Sequence, residues 1–333
     1  MAGLDTVIVP GVMRSLVEMN LVRDISISDH NVDIKLAAAC INPDDQAELT
    51  AQIDGLTHTL DGVKSINVSF ESINPKDINK IDHIIAVMSG KGGVGKSLVS
   101  GLTAIALRRQ GYSVGILDAD ITGPSIPKMF GVKDSPACSE NGMLPLSTLS
   151  GIEVMSLNLL LPAEDEAVIW RGPIIAGIIT QFWEEVLWGK LDYLIVDLPP
   201  GTADAPLTVL QKIPVSGIII VSSPQDLATM IVKKAVHMAK QMKKPIIGVI
   251  ENMSYLYVPE IDKKIEIFGK SRGEEMAQSA GAPLLAQLPL DPQLAALCDK
   301  GQVENYRSDI IESLGHKLKD LTPLSIPLIK AEK

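Results

Sequence analysis

The most restrictive feature of this chain is the stretch 90–97, GKGGVGKS, which fits the spacing G-x-x-x-x-G-K-[ST]. It stands between a short apolar run, 83–88 (HIIAVM), and a helical pattern that starts near Ser97. Each residue type in it has a physical purpose. Gly90, Gly92, Gly93 and Gly95 let the backbone curl so that several N–H groups, those of Lys91 and Val94 included, can turn toward phosphate oxygens. The helix that follows adds the partial positive charge of its N-terminus. Lys96 is spaced to reach the β- and γ-phosphates of a nucleotide, and the Ser97 hydroxyl to ligate Mg²⁺. Such a loop works only at the end of a strand feeding a helix, so an α/β fold is implied before any other segment is read.

The rest of the chain fits that frame. Uninterrupted apolar runs recur at 83–88, 113–117, 191–196, 217–222 and 246–250, separated by helical patterns such as 97–110, 173–188 and 226–242. Apolar strands alternating with helices predict a mostly parallel sheet with helices on both faces. In such sheets ligands bind beyond the carboxyl ends of the strands, where every motif below falls. Residues 1–75 read differently, as a small α+β domain: a helical pattern over 12–20, strands over 23–27 and 32–38, a helix over 45–60 and a closing strand over 63–70. The polar stretch 71–81 (ESINPKDINKI) marks a linker, bounded at 76–82, before a nucleotide-binding domain at 83–333.

Carboxylates follow the strands. Asp118 and Asp120 sit in LDADITGPS, and Asp197 ends the run LDYLIVD, with Asp204 seven residues on. Strand-end carboxylates beside a phosphate loop can hold Mg²⁺ through waters or orient an attacking water, and they can equally cap turns and helices. The loop at Pro199, Pro200 and Gly201 could sense a γ-phosphate. Lys91 reads either as a second cation for the triphosphate or as a solvated loop lysine, and Arg171 either as a charge near the site or as a structural residue.

Composition excludes several classes. The formal charge is −10, and residues 1–80 carry twelve acids against six bases, which argues against a nonspecific nucleic-acid or membrane-surface binder. The segment 307–333 mixes charge signs and contains Pro323 and Pro327, unlike a basic amphipathic anchor. Neither a signal peptide nor a run long enough to span a bilayer is present. Cys40, Cys138 and Cys298 are far apart and form no C-x-x-C. These features describe a reduced, cytoplasmic protein.

Taken together, GKGGVGKS, LDADITGPSIP, WRGP at 170–173, LDYLIVDLPPGTAD, SSPQ at 222–225, ENMSY at 251–255 and IFGK at 267–270 resemble the Mrp/ApbC-type ATPases. These are P-loop NTPases with a deviant Walker A motif, related to MinD and ParA, that carry iron–sulfur clusters. The resemblance implies a homodimer that binds ATP and Mg²⁺ and hydrolyses ATP, a 4Fe-4S cluster, and a client apo-protein or iron–sulfur assembly factor as partner. It assigns Lys91 to the lysine that crosses the dimer interface, Asp118 and Asp120 to switch I with Asp120 orienting water, and Asp197 to switch II. With Lys96, these make Lys91, Asp120 and Asp197 the catalytic set, and Ser97, Asp118 and Asp197 the magnesium set. Asn252 falls where the adenine edge is read, and Pro224, Gln225, Pro289 and Leu290 where the base pocket is lined. The N-terminal region resembles a small domain that often precedes this ATPase.

The chain departs from the pattern at one chemically decisive place. Carriers continue after N-M-S-Y to a C-P-x-C pair, whereas NMSYLYVPEIDKKIEIFG puts Val258 and Ile261 at those positions. Iron–sulfur clusters are held by thiolates, which Val and Ile cannot replace. No iron–sulfur ligand is therefore assigned. The alternatives are a cluster held in another way or by a partner, a cluster-free ATP-dependent switch, adaptor or metallochaperone, and a ParA/MinD-like positioning ATPase. A kinase shares the phosphate loop but not the two loops that carry the carboxylates. The N-terminal region departs too, with Val9, Pro10 and Gly11 in place of an acidic D-P-E, and Cys40 near where that domain can hold a cysteine.

Overall fold

The computed structural model describes residues 1–60, 62–120, 123, 125–139, 142–160, 172–202, 204–225 and 228–322. The apolar runs form the interior of one eight-stranded sheet. Its strands are β4 (Lys80–Ser89), β5 (Val114–Asp118), β8 (Leu146–Ser147), β9 (Glu153–Ser156), β10 (Lys190–Asp197), β11 (Gly217–Ser222), β12 (Ile246–Glu251) and β15 (Leu284–Gln287), in the order β15-β12-β11-β4-β10-β5-β9-β8. Neighbours pair in parallel except β8 against β9. The central strands bury both faces, as in β11, where Gly217–Ser222 is buried throughout. Continuous apolarity rather than alternation is what that placement requires.

Helices α3 (Lys96–Arg109), α4 (Ile126–Phe130), α5 (Gly172–Glu185), α6 (Asp204–Lys212), α7 (Ala228–Gln241), α8 (Gly273–Ala280), α9 (Pro292–Asp299) and α10 (Asp309–Leu321) cover the sheet. Two buried clusters lie on its two faces. One joins Met88, Leu194 and Ile220 to Phe182 and Val232. The other joins Ile85, Ile195 and Ile219 to Leu102, Ile105 and Leu314. Each such side chain contributes about 1.5–3 kcal/mol by leaving water. The chain leaves β4 through α3 toward β5 on one side, and leaves β10 through α6 toward β11 on the other. The resulting topological switch opens a crevice over the carboxyl ends of β4 and β10.

The N-terminal residues form a three-stranded sheet of β1 (Val22–Ser28), β2 (Asn31–Ala37) and β3 (Ser65–Glu71), with β1 antiparallel and β3 parallel to β2. Helix α1 (Pro43–Gly55) crosses between β2 and β3, capped by Asn42 Oδ1, which accepts from Asp45 N at 2.9 Å. The helix expected over 12–20 is instead a series of turns. Val9 N bonds Arg14 O at 2.9 Å, Leu16 N bonds Val7 O at 2.9 Å, and Gly11 and Asn20 take positive φ. The apolar spacing of Leu16, Met19 and Leu21 serves burial without a helical backbone: all three are 0 % exposed. Their cluster includes Leu144 and Leu187 from the later chain.

Between β3 and β4, α2 (Pro75–Ile78) buries Pro75 and Ile78, and Asn79 Oδ1 accepts from Trp188 N at 2.8 Å and Gly189 N at 3.0 Å. Two further short pairs complete the described strands: β6 (Cys138–Ser139) with β7 (Gly142–Met143), and β13 (Leu256–Val258) with β14 (Lys263–Ile265). Among the described residues no helix is long and apolar enough to cross a membrane.

Candidate functional site

Residues 90–97 leave the carboxyl end of β4 and enter α3 in the crevice. Gly93 and Gly95 both stand at φ +78°, which an L side chain rarely adopts. A Cβ on Gly95 would lie 2.2 Å from Asn252 Nδ2, so glycine is required there by contact as well as by torsion. Three bonds shape the loop from outside. Ser89 Oγ donates to Lys91 O at 2.9 Å, Gly201 N to Ser89 O at 3.0 Å, and Asn252 Nδ2 to Val94 O at 2.9 Å. The backbone N–H groups entering α3 are thereby presented as a preorganised anion cradle.

Asp197 is the hub beneath the loop. It is fully buried, pairs in register with Asp118 of β5 and with Val87 of β4, and its carboxylate gathers three side chains. Lys96 Nζ lies 2.8 Å from Oδ1, Ser97 Oγ donates to Oδ2 at 2.5 Å, and Ser100 Oγ donates to Oδ1 at 2.6 Å. Asp120 Oδ2 is 3.8 Å from Lys96 Nζ. Asp118 accepts from Asp120 N at 3.2 Å, Ile126 N at 3.4 Å and Ser156 Oγ at 3.2 Å. Burial, then the Asp197 charge, push the Asp118 carboxyl above its ordinary range, with Lys96 opposing.

The charge balance identifies what this cluster can hold. With all three ionised, Asp118, Asp120 and Asp197 would carry −3 against +1 on Lys96, an excess that a divalent cation would offset, opposing the upward shift of Asp118. The Ser97 hydroxyl and the Asp197 carboxylate are hard oxygen donors of the kind that Mg²⁺ takes alongside phosphate oxygens and water. Among the described residues no group of three or more His, Cys, Asp or Glu forms a metal cage, and a phosphate-bound magnesium needs none.

The remaining sequence-predicted residues surround this hub. Lys91 Nζ donates to Gln225 Oε1 of the same chain, with Pro224 buried beside it. Asn252 is 2 % exposed and commits its Nδ2 to the phosphate loop. Pro289 and Leu290 line a cavity of 660 Å³ next to Tyr255. Asp204 starts α6 and lines a separate 470 Å³ groove with Thr202, Lys233 and His237. Arg171 lies outside the described residues.

The positions expected for cluster cysteines form the β13–β14 hairpin, where Val258 pairs with Lys263 and Ile261 is 61 % exposed. The three thiols belong to separate segments, and Cys40 reaches the β6–β7 pair that carries Cys138, with Cys40 Sγ bonded to Met143 O at 3.5 Å. Cys40 is buried with its thiol pushed up to about 12, chiefly by that burial; Cys138 is exposed, and Cys298 is half-buried in α9. Cys40 Sγ sits 2.8 Å from where Gly142 would carry a Cβ, on the face shared by Ser139.

Two residues escaped the sequence reading. Ser100 lies three positions after Ser97, hence on the same helix face, a spacing that a helical projection of 97–110 contains. Glu251, fully buried, accepts from Ser254 Oγ at 2.7 Å, Ser271 Oγ at 2.6 Å, Arg272 N at 2.7 Å and Gln287 Nε2 at 3.1 Å. It ties together the loops that carry Asn252 and the chain leading to Pro289, and a lone Glu ending an apolar run was its only sequence signal.

Comparison with known proteins places this geometry in context. The family described as ParA, NUBPL iron-transfer P-loop NTPase, matches residues 80–321. An iron–sulfur cluster carrier protein of Clostridium perfringens is 46% identical over 234 residues, covering 68% of this chain and 82% of its own. An iron–sulfur cluster carrier protein of Synechocystis is 37% identical over 305 residues, covering 88% and 86%. A nucleotide-binding protein from Archaeoglobus fulgidus, solved in complex with ADP, superposes with a TM-score of 0.63 at 45% identity, covering 70% of this chain and 91% of that one.

Proposed function

This chain belongs to the NUBPL-type iron-transfer P-loop NTPases, and from that premise we propose that it binds Mg·ATP at 90–97 and hydrolyses it slowly as a cytoplasmic homodimer. The cycle serves iron–sulfur cluster assembly or transfer to a client apo-protein. The observation that carries this reading is the Asp197 hub, in which Lys96, Ser97 and Ser100 converge on one buried carboxylate under a glycine-shaped loop.

The residues divide the work by chemistry. Backbone N–H groups of Gly92, Gly93, Val94, Gly95 and Lys96 bind phosphate oxygens, and the Lys96 ammonium balances charge on the β- and γ-phosphates. Magnesium, when bound, neutralises charge on those phosphates, with Ser97 as its hydroxyl ligand and Asp197 and Asp118 as the carboxylates around it. Asp120, beside Lys96, orients the attacking water. Lys91, on the exposed side of the loop, reaches the nucleotide of a second copy, exchanging its contact with Gln225. Without a supplied arginine, such sites turn over at roughly 10⁻⁴ to 10⁻² per second.

The cluster is cargo, and a second reading has its own support. Val258 and Ile261 supply no thiolate, which favours an ATP-gated adaptor whose cluster resides on a partner. Anaerobic reconstitution with iron and sulfide, with iron and sulfide counted per dimer, separates the two. A stoichiometric cluster lost in the Cys40→Ser, Cys138→Ser, Cys298→Ser triple variant supports a carrier. A count no higher than that variant's background supports the adaptor.

A further inference from the structure

The chain as a whole is acidic, yet residues 227–250 contain five lysines, one histidine and no acid. Three of the lysines have a structural purpose. Lys240, Lys243 and Lys244 stand at the carboxyl end of α7, where Lys243 N bonds Lys240 O and Lys244 N bonds Ala239 O, each at 3.0 Å. Cations there offset the negative end of the helix dipole. Lys233, Lys234 and His237 lie mid-helix, where the dipole gives them no such task. All three are exposed, and among the described residues neither lysine forms a salt bridge. The other face of α7 is accounted for by the core, which buries Val232, Ala235, Val236 and Ala239. Met230 is not on that face. It is 50 % exposed, three and four residues before the lysines, and so shares their side of the helix.

This side of α7 lines the 470 Å³ groove. Helix α7 contributes Met230, Lys233, Lys234 and His237, and α6 contributes Asp204 and Leu207. Apolar side chains beside unpaired cations suit a ligand that is itself amphipathic: carboxylates for the lysines and one large apolar side chain for Leu207 and Met230. Methionine is unbranched and polarisable, so it adapts to side chains of several shapes. A nucleic-acid duplex or a lipid surface fits less well, because it presents phosphate to a lining that includes Asp204 and offers the groove no apolar side chain. A peptide can meet Asp204 with a backbone N–H. The groove also adjoins the nucleotide site. Beyond Asp197, Leu198 N donates to Val87 O at 3.2 Å and Gly201 N to Ser89 O at 3.0 Å, which holds this loop against the strand that feeds the phosphate loop. The next residue, Thr202, already lines the groove.

We propose that the α6–α7 groove docks an acidic segment of the client protein, with its carboxylates on Lys233 and Lys234 and a large apolar side chain against Leu207 and Met230, and that loop 198–202 couples this seating to the nucleotide state. The coupling rests on the phosphate-loop reading above; the docking stands on the charge and lining of the groove alone.

Fluorescence anisotropy on the full chain tests this with a labelled glutamate-rich peptide carrying one central leucine, and with its counterpart in which lysines replace the glutamates. The acidic peptide binds and the basic one does not. The double variant Lys233→Ala/Lys234→Ala weakens the acidic peptide by about tenfold, and added salt weakens it in the parent. Lys243→Ala/Lys244→Ala removes the same charge away from the groove and stays within about twofold of the parent. Met230→Ala costs about fivefold through lost apolar contact and leaves the salt dependence unchanged. Absence of peptide binding in the parent overturns the proposal, as do equal losses in the two lysine pairs, which would reduce the effect to net charge. Binding of a DNA duplex or of phosphatidylserine vesicles in place of the peptide, with the same dependence on Lys233 and Lys234, overturns it too. Peptide affinity differs between the ADP and ATP states by about fivefold or more, and equal affinities overturn the coupling. Lys96→Ala separates the two readings: it keeps peptide binding and loses the difference between nucleotides, whereas Lys233→Ala/Lys234→Ala keeps parental ATP affinity.

Discussion

Ser100 Oγ stands 2.6 Å from Asp197 Oδ1, the same oxygen that lies 2.8 Å from Lys96 Nζ, so a neutral hydroxyl and an ammonium share one carboxylate oxygen at the bottom of the site. The hydroxyl fixes the rotamer of a carboxylate that also receives Ser97, and it does so from a position no ligand reaches. A hydrogen bond to a charged group is worth about 1.5–3 kcal/mol. Ser100→Ala is therefore expected to lower the ATP hydrolysis rate by about tenfold or more while changing ATP affinity by less than threefold. Parallel loss of both quantities would mean that Ser100 supports the loop as a whole and not Asp197 in particular.

Lys96 and Lys91 occupy the same loop in different environments, and their variants should differ in kind. Lys96 is 5 % exposed among three carboxylates, whereas Lys91 lies at the loop surface against Gln225. Lys96→Ala removes the ammonium that pairs with Asp197 at 2.8 Å and lies 3.8 Å from Asp120, so nucleotide binding measured with a fluorescent ATP analogue should disappear. Lys91→Ala should bind ATP at parental affinity yet hydrolyse it more slowly and form fewer dimers in sedimentation. Parental hydrolysis in Lys91→Ala would remove it from the catalytic set.

How much of this was legible depends on the range of the interaction. The parallel sheet and the loop at 90–97 could be read directly, because buried parallel strands require continuous apolar runs and the phosphate loop requires its glycines locally. Strands β9 and β15 are only four residues each, too short to stand out as runs. The turns at 12–20 misled because helical spacing and burial of Leu16 and Met19 produce the same apolar pattern, and what decides between them is the pairing of Leu16 N with Val7 O. The convergence of Ser100 and Asp197, 97 residues apart, depends on the packing of α3 across β10 and has no local signature.

The thiols provide a pH test whose sign is set by burial. Burial holds the Cys40 proton up to about 12, while the unfolded chain releases it near 9.0. Between those values the unfolded state binds fewer protons, so stability falls as pH rises through the window. Cys40→Ala should move the alkaline unfolding midpoint upward relative to the parent when both are compared as shifts from their stability at pH 7. At pH 8 in native buffer, iodoacetamide should label exposed Cys138 first, Cys298 more slowly, and Cys40 only after denaturant is added. Labelling of Cys40 at the rate of Cys138 would contradict its burial.

The N-terminal residues are attached to the sheet by a buried cation, which makes their attachment measurable. Arg14 is 8 % exposed, and its guanidinium donates to Trp188 O at 2.8 Å, Lys190 O at 2.5 Å and Glu18 O at 3.1 Å. Burial lowers its pKa, and the Glu153 charge, itself buried, opposes that shift. Three carbonyls in a fork suit the planar donors of arginine and not the single ammonium of lysine. Arg14→Ala removes all three bonds, leaving Glu18 O with its bond from Lys190 N, and takes from buried Glu153 an opposing charge, at a cost of about 3–5 kcal/mol. Denaturant unfolding followed by circular dichroism should show that loss, and Arg14→Lys should recover only part of it. Because the bonds join 14 to 188 and 190, the loss should also separate the unfolding of residues 1–75 from that of the larger sheet, visible as a transition that broadens or splits. An Arg14→Ala protein within half a kcal/mol of the parent, unfolding in one sharp step, would show that Leu16, Met19, Leu144 and Leu187 hold the two parts together through apolar packing alone.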